Sequence, residues 1–370
     1  VTVAACRIAH YRLPREVWWP EGPIGASAYE ILDVELVTCE VETDDGVIGS
    51  GFTYTVGRGG SAVRALLEDV IAPELMGREP RDVEAIWHEL RTKLHFVGLG
   101  GVAAVAIAAA DIALWDALAV AAGLPLYRYL GVHRASLPAY ASAVNLALST
   151  GEVAEQMAGY RGRGFRAVKM KVGKPFREDV ERVRAVREAI GDDCELYLDA
   201  NMAWDVAEAA RRLRAFERYD VGWLEEPFPP HDVDGYATLQ RLTATPLAAG
   251  ETLFTPDEFT PYFRRSAIRV PQPDVIRLGV TGWRRVAAAA LGAGLPVAPH
   301  FIPEIHVHLA CAVPNALNLE YLPIFERLLE RPLEVRDGRA APPESPGHGM
   351  RFSAQTLVPY RQGEREVRGR

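Results

Sequence analysis

Cysteine is scarce in this chain, four in 370 residues, and Cys6, Cys39, Cys194 and Cys311 form neither a CxxC pair nor a zinc-like spacing. That argues against a disulfide-stapled scaffold or a thiolate metal centre, and makes a reducing cytoplasm the expected compartment. Positive charge is also lacking. With 41 Lys and Arg against 49 Asp and Glu, the formal net charge is -8, which gives nucleic acid or an anionic membrane nothing to bind electrostatically. An anionic substrate would need local positive charge or a metal. No basic-then-apolar leader precedes Ala4, so no signal peptide is expected. The most lipid-like run, Val102 to Gly123, is interrupted by Asp111 and Asp116 and reads as a buried Ala-rich helix. The glycines around Gly57, Gly59 and Gly60, and around Gly98, Gly100 and Gly101, do not make GxGxxG after a strand, so a dinucleotide fold gains no support.

What is present is a series. Short apolar runs each end on a functional-looking polar residue: Lys169 and Lys171 in AVKMK, Asp199 in LYLDAN, Glu225 in GWLEEP, Glu251 in LAAGE, Asp274 in VPQPD, His300 in LPVAPH and Glu320 in LNLE. The steps from Lys171 onward are about 28, 26, 26, 23, 26 and 20 residues, the length of one strand plus a returning helix. In a barrel of parallel strands all strand ends share one rim, so residues this far apart in sequence converge on one mouth.

The rest of the chain frames that barrel. Val1 to Ala9, Ala28 to Glu42 and Val47 to Tyr54 alternate like strands, with a hairpin turn at Asp44-Asp45-Gly46. Helical patterns follow over Ser61 to Leu75, Pro80 to Phe96 and Gly101 to Ala122, making an α+β unit over residues 1–125. Barrel strands are expected at Ala139 to Ala143, Arg166 to Lys171 and Glu195 to Asp199. Ser149 with Glu152, and Thr255, Pro256 and Glu258, mark helix starts. Residues 126–322 form the barrel. Residues 323–370 lose the repeat and are expected to leave it and pack back on the first unit, ending in a frayed charged tail from Gln362. The segment Tyr11 to Ala26, with Arg12, Arg15, Trp18 and Trp19, reads as a long loop, either a lid or a patch against another subunit.

Chemistry follows from placement. Asp199, Glu225 and Glu251 on three successive strands are hard oxygen ligands, which favours Mg2+ over Zn2+. Glu226 is not excluded, although equal steps to both neighbours favour Glu225. Lys169 and Lys171, two apart on a strand, point to one face. Their repulsion lowers a lysine pKa and lets one act as a base near pH 7. Asp274 and His300 on adjacent strands are within reach of each other, the carboxylate orienting the imidazole. Lys171 and His300 would then address opposite faces of a ligand. His306 and His308, also tempting, read as structural.

These KxK, DxN, EEP, GE, PD and H landmarks, in this order over nearly the whole chain, resemble the enolase superfamily and its mandelate racemase subgroup. The resemblance implies a modified TIM barrel, (β/α)7β, with an N-terminal α+β capping domain. It implies Mg2+ held by Asp199, Glu225 and Glu251, and abstraction of the proton α to a carboxylate through an enediolate. Lys171 would be the base on one face and His300, paired with Asp274, the acid or base on the other. Lys169 and Glu320 would meet the substrate carboxylate and Asn201 the substrate, while Arg12 and Arg15 would suit a distal carboxylate or hydroxyls and Trp18 and Trp19 an apolar group. The stretch APHFIPEIHVHLACA, from Ala298, is most similar to acid-sugar dehydratases of the talarate/galactarate type; Leu278 to Trp283 resembles the racemases. Dehydration of an acid sugar is therefore the first expectation and racemisation or epimerisation of a 2-hydroxy acid the second. A non-catalytic binding protein on the same fold is a remote third. The expected partners are a small-molecule carboxylate and further copies of the chain, from dimer to octamer.

Overall fold

The computed structural model describes residues 1–19, 25–26, 29–30 and 33–369. A four-stranded antiparallel sheet opens the chain. Val3–Pro14 pairs with Asp33–Thr43, which pairs with Ile48–Val56 through the turn at Gly46, whose φ of 85° suits glycine. The fourth strand is the far C-terminus. Arg361–Arg368 runs antiparallel to Val3–Pro14, from Ala5 opposite Arg368 to Tyr11 opposite Arg361. The expected frayed tail is thus an ordered edge strand. Its alternating charges suit a solvated edge, and the free edge of Val3–Pro14 satisfies its backbone.

The helix Gly101–Ala121 lies on this sheet. It is apolar and long enough to cross a membrane, but nearly all of it is buried inside the fold. The sheet approaches it closely because Gly51 has no side chain: a Cβ there would sit 2.0 Å from the Ala109 carbonyl oxygen.

The second sheet curls into the barrel. Its parallel strands are Leu137–Ser142, Ala167–Lys171, Glu195–Asp199, Val221–Glu225, Leu247–Ala249 and Val270–Pro271, and Leu319–Tyr321 pairs back onto the first. The seventh position shrinks to Val297 and Ala298. Val297 bridges to Ala316, and the Ala298 N–H donates to the Pro271 carbonyl. Seven helices return between these positions, Thr150–Gly162, Phe176–Ile190, Val206–Phe216, Val233–Leu242, Pro256–Arg264, Val275–Gly292 and Pro303–Cys311. Capping boxes at Ser149/Glu152 and Thr255/Glu258 start the first and fifth. The architecture is that of a (β/α)7β barrel with an α+β cap.

Residues beyond 323 do not all leave the barrel. Val335–Arg336 and Arg339–Ala340 form a hairpin whose second strand pairs with Leu137–Ser142 before the chain crosses to the cap sheet. Buried Asp116 ties the junction, accepting from the Ser50 N–H at 2.9 Å and the His348 N–H at 2.7 Å. A cavity of about 940 Å3 lies in this C-terminal segment, lined among others by Glu304, Arg331 and Arg351.

His306 and His308 are fully buried in the last helix and have backbone partners at both ring nitrogens. His306 Nε2 accepts from the Val275 N–H at 3.0 Å, so its Nδ1–H faces the Phe301 carbonyl at 2.5 Å. His308 Nδ1 accepts from the Tyr127 N–H, and its Nε2 faces the His348 carbonyl. Burial pushes His306 down to about 4 and His308 to about 3. Both stay neutral in the fold and take up a proton on unfolding, so their contribution is intact above pH about 6.5 and is lost as pH falls through about 4. The expected slope is about 1.4 kcal/mol per pH unit for each histidine. Urea unfolding at pH 7 to 4 checks this: His308→Gln should flatten the slope by about that amount, and an unchanged slope would rule the account out.

Candidate active site

The barrel interior is built in layers, because alternate strand residues point inward. Tyr140, Ala167, Tyr197, Trp223, Ala248, Val270 and Ala298 form one apolar layer, with Tyr197 stacked on Trp223. Two residues further along each strand the layer turns polar: Ser142, Lys169, Asp199, Glu225, Gln272 and His300, with Lys171 above Lys169. Glu251 follows the fifth strand directly after Gly250, and Glu320 lies within Leu319–Tyr321.

Asp199, Glu225 and Glu251 bring one carboxylate oxygen each to within 4.8 Å of one another. The lysines face them. Lys169 Nζ donates to Glu225 Oε1 at 2.7 Å and Oε2 at 2.9 Å and pairs with Glu320 Oε1 at 2.8 Å. Lys171 Nζ donates to Asp199 Oδ2. Burial pushes both ammonium groups down, and Lys169 pushes Lys171 down further, yet the carboxylates prevail and both shifts are upward. The expectation of a lysine lowered by its neighbour is therefore corrected here: Asp199 outweighs Lys169 at contact distance.

Across the ring, His300 Nδ1 meets Asp274 Oδ2 at 3.0 Å and Nε2 lies 3.2 Å from Glu251 Oε2. Burial opposes protonation of His300, but Glu251 and Asp274 outweigh it and push the imidazole up to about 10. Asp274 is not the last residue of a strand. It is the N-cap of Val275–Gly292, its Oδ1 accepting from the Ile276 N–H at 2.8 Å. Glu320 is held at about 2, because Lys169 and His300 overcome its burial, and its Oε2 accepts from the Phe301 N–H at 2.8 Å. It is an acceptor here, so donating to a substrate carboxylate would require it first to gain a proton.

Glu226 turns away at φ 34° and accepts from Thr252 Oγ1 at 2.6 Å; the carboxylate cluster takes Glu225. Asn201, at φ 41°, reaches the site through its backbone, its N–H donating to Asp199 Oδ1 at 2.9 Å. The Tyr11 to Ala26 loop is corrected in part. Tyr11 to Pro14 continue the first strand, and Arg15–Trp18 is a short helix. Arg12 is bound to Asp33 at 2.8 Å, and Arg15 lies 3.8 Å from Glu16. Trp18 and Trp19 are buried in the core, where their large apolar rings are removed from water, and do not stand free over a site. Residues 20–24 of that loop lie outside the described residues.

Several residues carry no sequence signal of their own. Asn145 Oδ1 accepts from the Lys171 N–H at 2.9 Å and fixes that strand end. From the cap, half-buried Tyr54 packs edge-on to Phe301 and senses Asp274, Arg277 and Glu251, with desolvation first and then these carboxylates raising its hydroxyl pKa. Asp111, on the cap helix, reaches the helix that follows Asp274. That helix breaks at Gly279 (φ 67°), where Asp111 accepts from the Thr281 N–H at 2.9 Å and Thr281 Oγ1 at 2.6 Å. It acts as an N-cap supplied by another domain. Asp111→Ala is expected to lower stability by about 2–3 kcal/mol through unpaired buried donors, read as a lower guanidinium midpoint; an unchanged midpoint would contradict the cap.

Comparison with known proteins bears on the fold as a whole. Residues 12–131 match the family described as mandelate racemase / muconate lactonizing enzyme, N-terminal domain, and residues 152–356 match the enolase C-terminal domain-like family. The chain is 37% identical over 350 residues to a 3,6-anhydro-alpha-L-galactonate cycloisomerase of Streptomyces coelicolor, covering 94% of this chain and 96% of the relative. It is 36% identical to an L-talarate/galactarate dehydratase of Salmonella typhimurium, over 88% of this chain and 82% of that one. Among solved structures, the L-talarate dehydratase from Polaromonas sp. JS666, crystallised with Mg and L-glucarate, superposes with a TM-score of 0.93 at 34% identity, covering all of both chains.

Proposed function

This chain belongs to the mandelate racemase/muconate lactonizing enzyme family of the enolase superfamily, and on that premise we propose that it removes the proton α to the carboxylate of an acid sugar and expels the oxygen at C3, giving a 2-keto-3-deoxy acid. One observation carries the reading: Lys171 meets the carboxylate cluster at Asp199, and the His300–Asp274 pair meets it at Glu251.

The donor set fits a hard divalent cation, and Asp199, Glu225 and Glu251 would hold Mg2+. Bound there, Mg2+ would supply positive charge that offsets charge growing on the substrate carboxylate. Lys171, an ammonium in the pair with Asp199, must first release its own proton and then takes the C2 proton as the amine. Lys169, kept charged between Glu225 and Glu320, stabilises the enediolate. His300, protonated at neutral pH, gives its proton to the departing C3 oxygen, and Asp274 stabilises the charged ring beforehand. The enol left behind tautomerises to the 2-keto acid. Tyr54, which reaches from the cap toward Asp274 and Glu251, suits the polar distal end of such a substrate.

A second reading shares every step and differs only in the fate of the expelled C3 oxygen. The relative with 37% identity bears the name of a cycloisomerase, and in a 3,6-anhydro sugar acid the C3 oxygen is a ring ether, so elimination opens a ring and releases no water. Incubation with Mg2+ in D2O against aldarates, aldonates, 3,6-anhydro aldonates and aryl 2-hydroxy acids tests both, reading 2-keto acid and deuterium at C2. Keto acid from an open-chain sugar supports dehydration, and from an anhydro sugar cycloisomerisation. Exchange without keto acid would replace both by a racemase or epimerase, and silence on the whole panel would sink the proposal.

A further inference from the structure

We infer that Gln272 decides which oxygen of Glu225 is offered to the cation and thereby sets the preference for Mg2+ over Ca2+. The inference rests on the reading of Asp199, Glu225 and Glu251 as the cation ligands.

Gln272 occupies the polar layer on the sixth strand, two residues beyond inward-facing Val270, and is wholly buried. Its backbone is anchored, the N–H donating to the Ala249 carbonyl at 2.9 Å. Its Nε2 donates to Glu225 Oε2 at 2.6 Å. The same oxygen receives Lys169 Nζ at 2.9 Å and Trp223 Nε1 at 3.3 Å, whereas Oε1 receives, among the described residues, Lys169 alone, at 2.7 Å. A carboxylate oxygen has about two lone-pair sites. Three donors saturate Oε2, and Oε1 keeps a lone pair open. Gln272 makes the shortest of the three contacts to Oε2, and it is uncharged, so it fixes this asymmetry without adding charge beside the cluster.

The consequence concerns ion choice. Mg2+ requires near-octahedral geometry and takes a carboxylate through one oxygen, while Ca2+ accepts larger coordination numbers and carboxylates bound through both oxygens. Holding Oε2 in donors restricts Glu225 to one oxygen, which suits Mg2+ and handicaps Ca2+. Gln272 is thus a positioning residue; it reaches the ion through Glu225.

The test is calorimetric titration of the full chain with MgCl2 and, separately, CaCl2, for wild type, Gln272→Leu and Gln272→Met, with thermal melts to confirm folding. Two variants are used in case one fails to fold. The expected result is a Mg2+ Kd raised about 10- to 100-fold, as for the loss of a ligand's supporting hydrogen bond, with a smaller rise or a fall for Ca2+, so that the preference for Mg2+ narrows. Equal weakening of both ions would show only a structural role and overturn the inference, as would unchanged affinities. Asp199→Asn separates this from the parent reading. If wild type binds Mg2+ and Asp199→Asn does not, a wild-type-like Gln272 variant fails the inference alone; if wild type binds no Mg2+, both fall.

Discussion

Lys171→Ala is expected to lower kcat by about 100- to 10,000-fold, the range in which a positioned general base contributes. The fold should tolerate the change, because the Lys171 N–H remains bonded to Asn145 and only the Nζ contact to Asp199 is lost. Removing that ammonium leaves Asp199 Oδ2, among the described residues, only the longer pairing with Lys169 at 3.8 Å, so affinity for Mg2+ should hold or rise while turnover collapses. This split is the informative part, since a merely disruptive change would weaken both. His300→Asn is the complementary variant. It should lose keto-acid formation by a comparable factor while Lys171 still exchanges the C2 proton in D2O. A protein that used these residues only to bind would keep its ligand affinity and show no turnover to lose, and wild-type turnover in Lys171→Ala would remove the base assignment.

Mg2+ is expected to stabilise the fold markedly, because it would bind three carboxylates that converge only in the folded chain. At 100 times its Kd the linkage is worth about 2.7 kcal/mol, and a chelator should remove both this gain and the turnover, with Mg2+ restoring them. Asp199→Asn should abolish the gain, since the lost charge comes from a fully buried ligand that Lys171 and the Asn201 N–H hold in place. A melting temperature indifferent to Mg2+ in the wild type would argue against the cation site. A gain that persists in Asp199→Asn would place the ion elsewhere.

The barrel was legible because its signal is local and repeated. Strand alternation places every second residue inward, so the polar ends of AVKMK, LYLDAN and GWLEE had to share one mouth once the strands were parallel. The helix starts at Ser149 and Thr255 were equally readable, since a capping box joins residues three apart. Gln272 was not, although it sits in VPQPD two residues before Asp274, which was singled out: an uncharged side chain between two prolines announces nothing until Glu225 is found 2.6 Å away. Asp111 looked like an interruption in an apolar helix, and its partner Thr281 lies 170 residues further on.

The chain's own order thus determined the β/α period, the identity of the carboxylate, lysine and histidine set and the face on which each stands, because covalent geometry ties these to neighbours a few residues apart. Tertiary structure decided the rest. It drew Trp18 and Trp19 into the core and bound Arg12 to Asp33; it turned the charged C-terminus into a sheet edge, and it let Asp199 prevail over Lys169 at the Lys171 ammonium. Each of these outcomes depends on which distant group arrives within contact distance in a buried, weakly screened interior, and no local spacing in the chain encodes that distance.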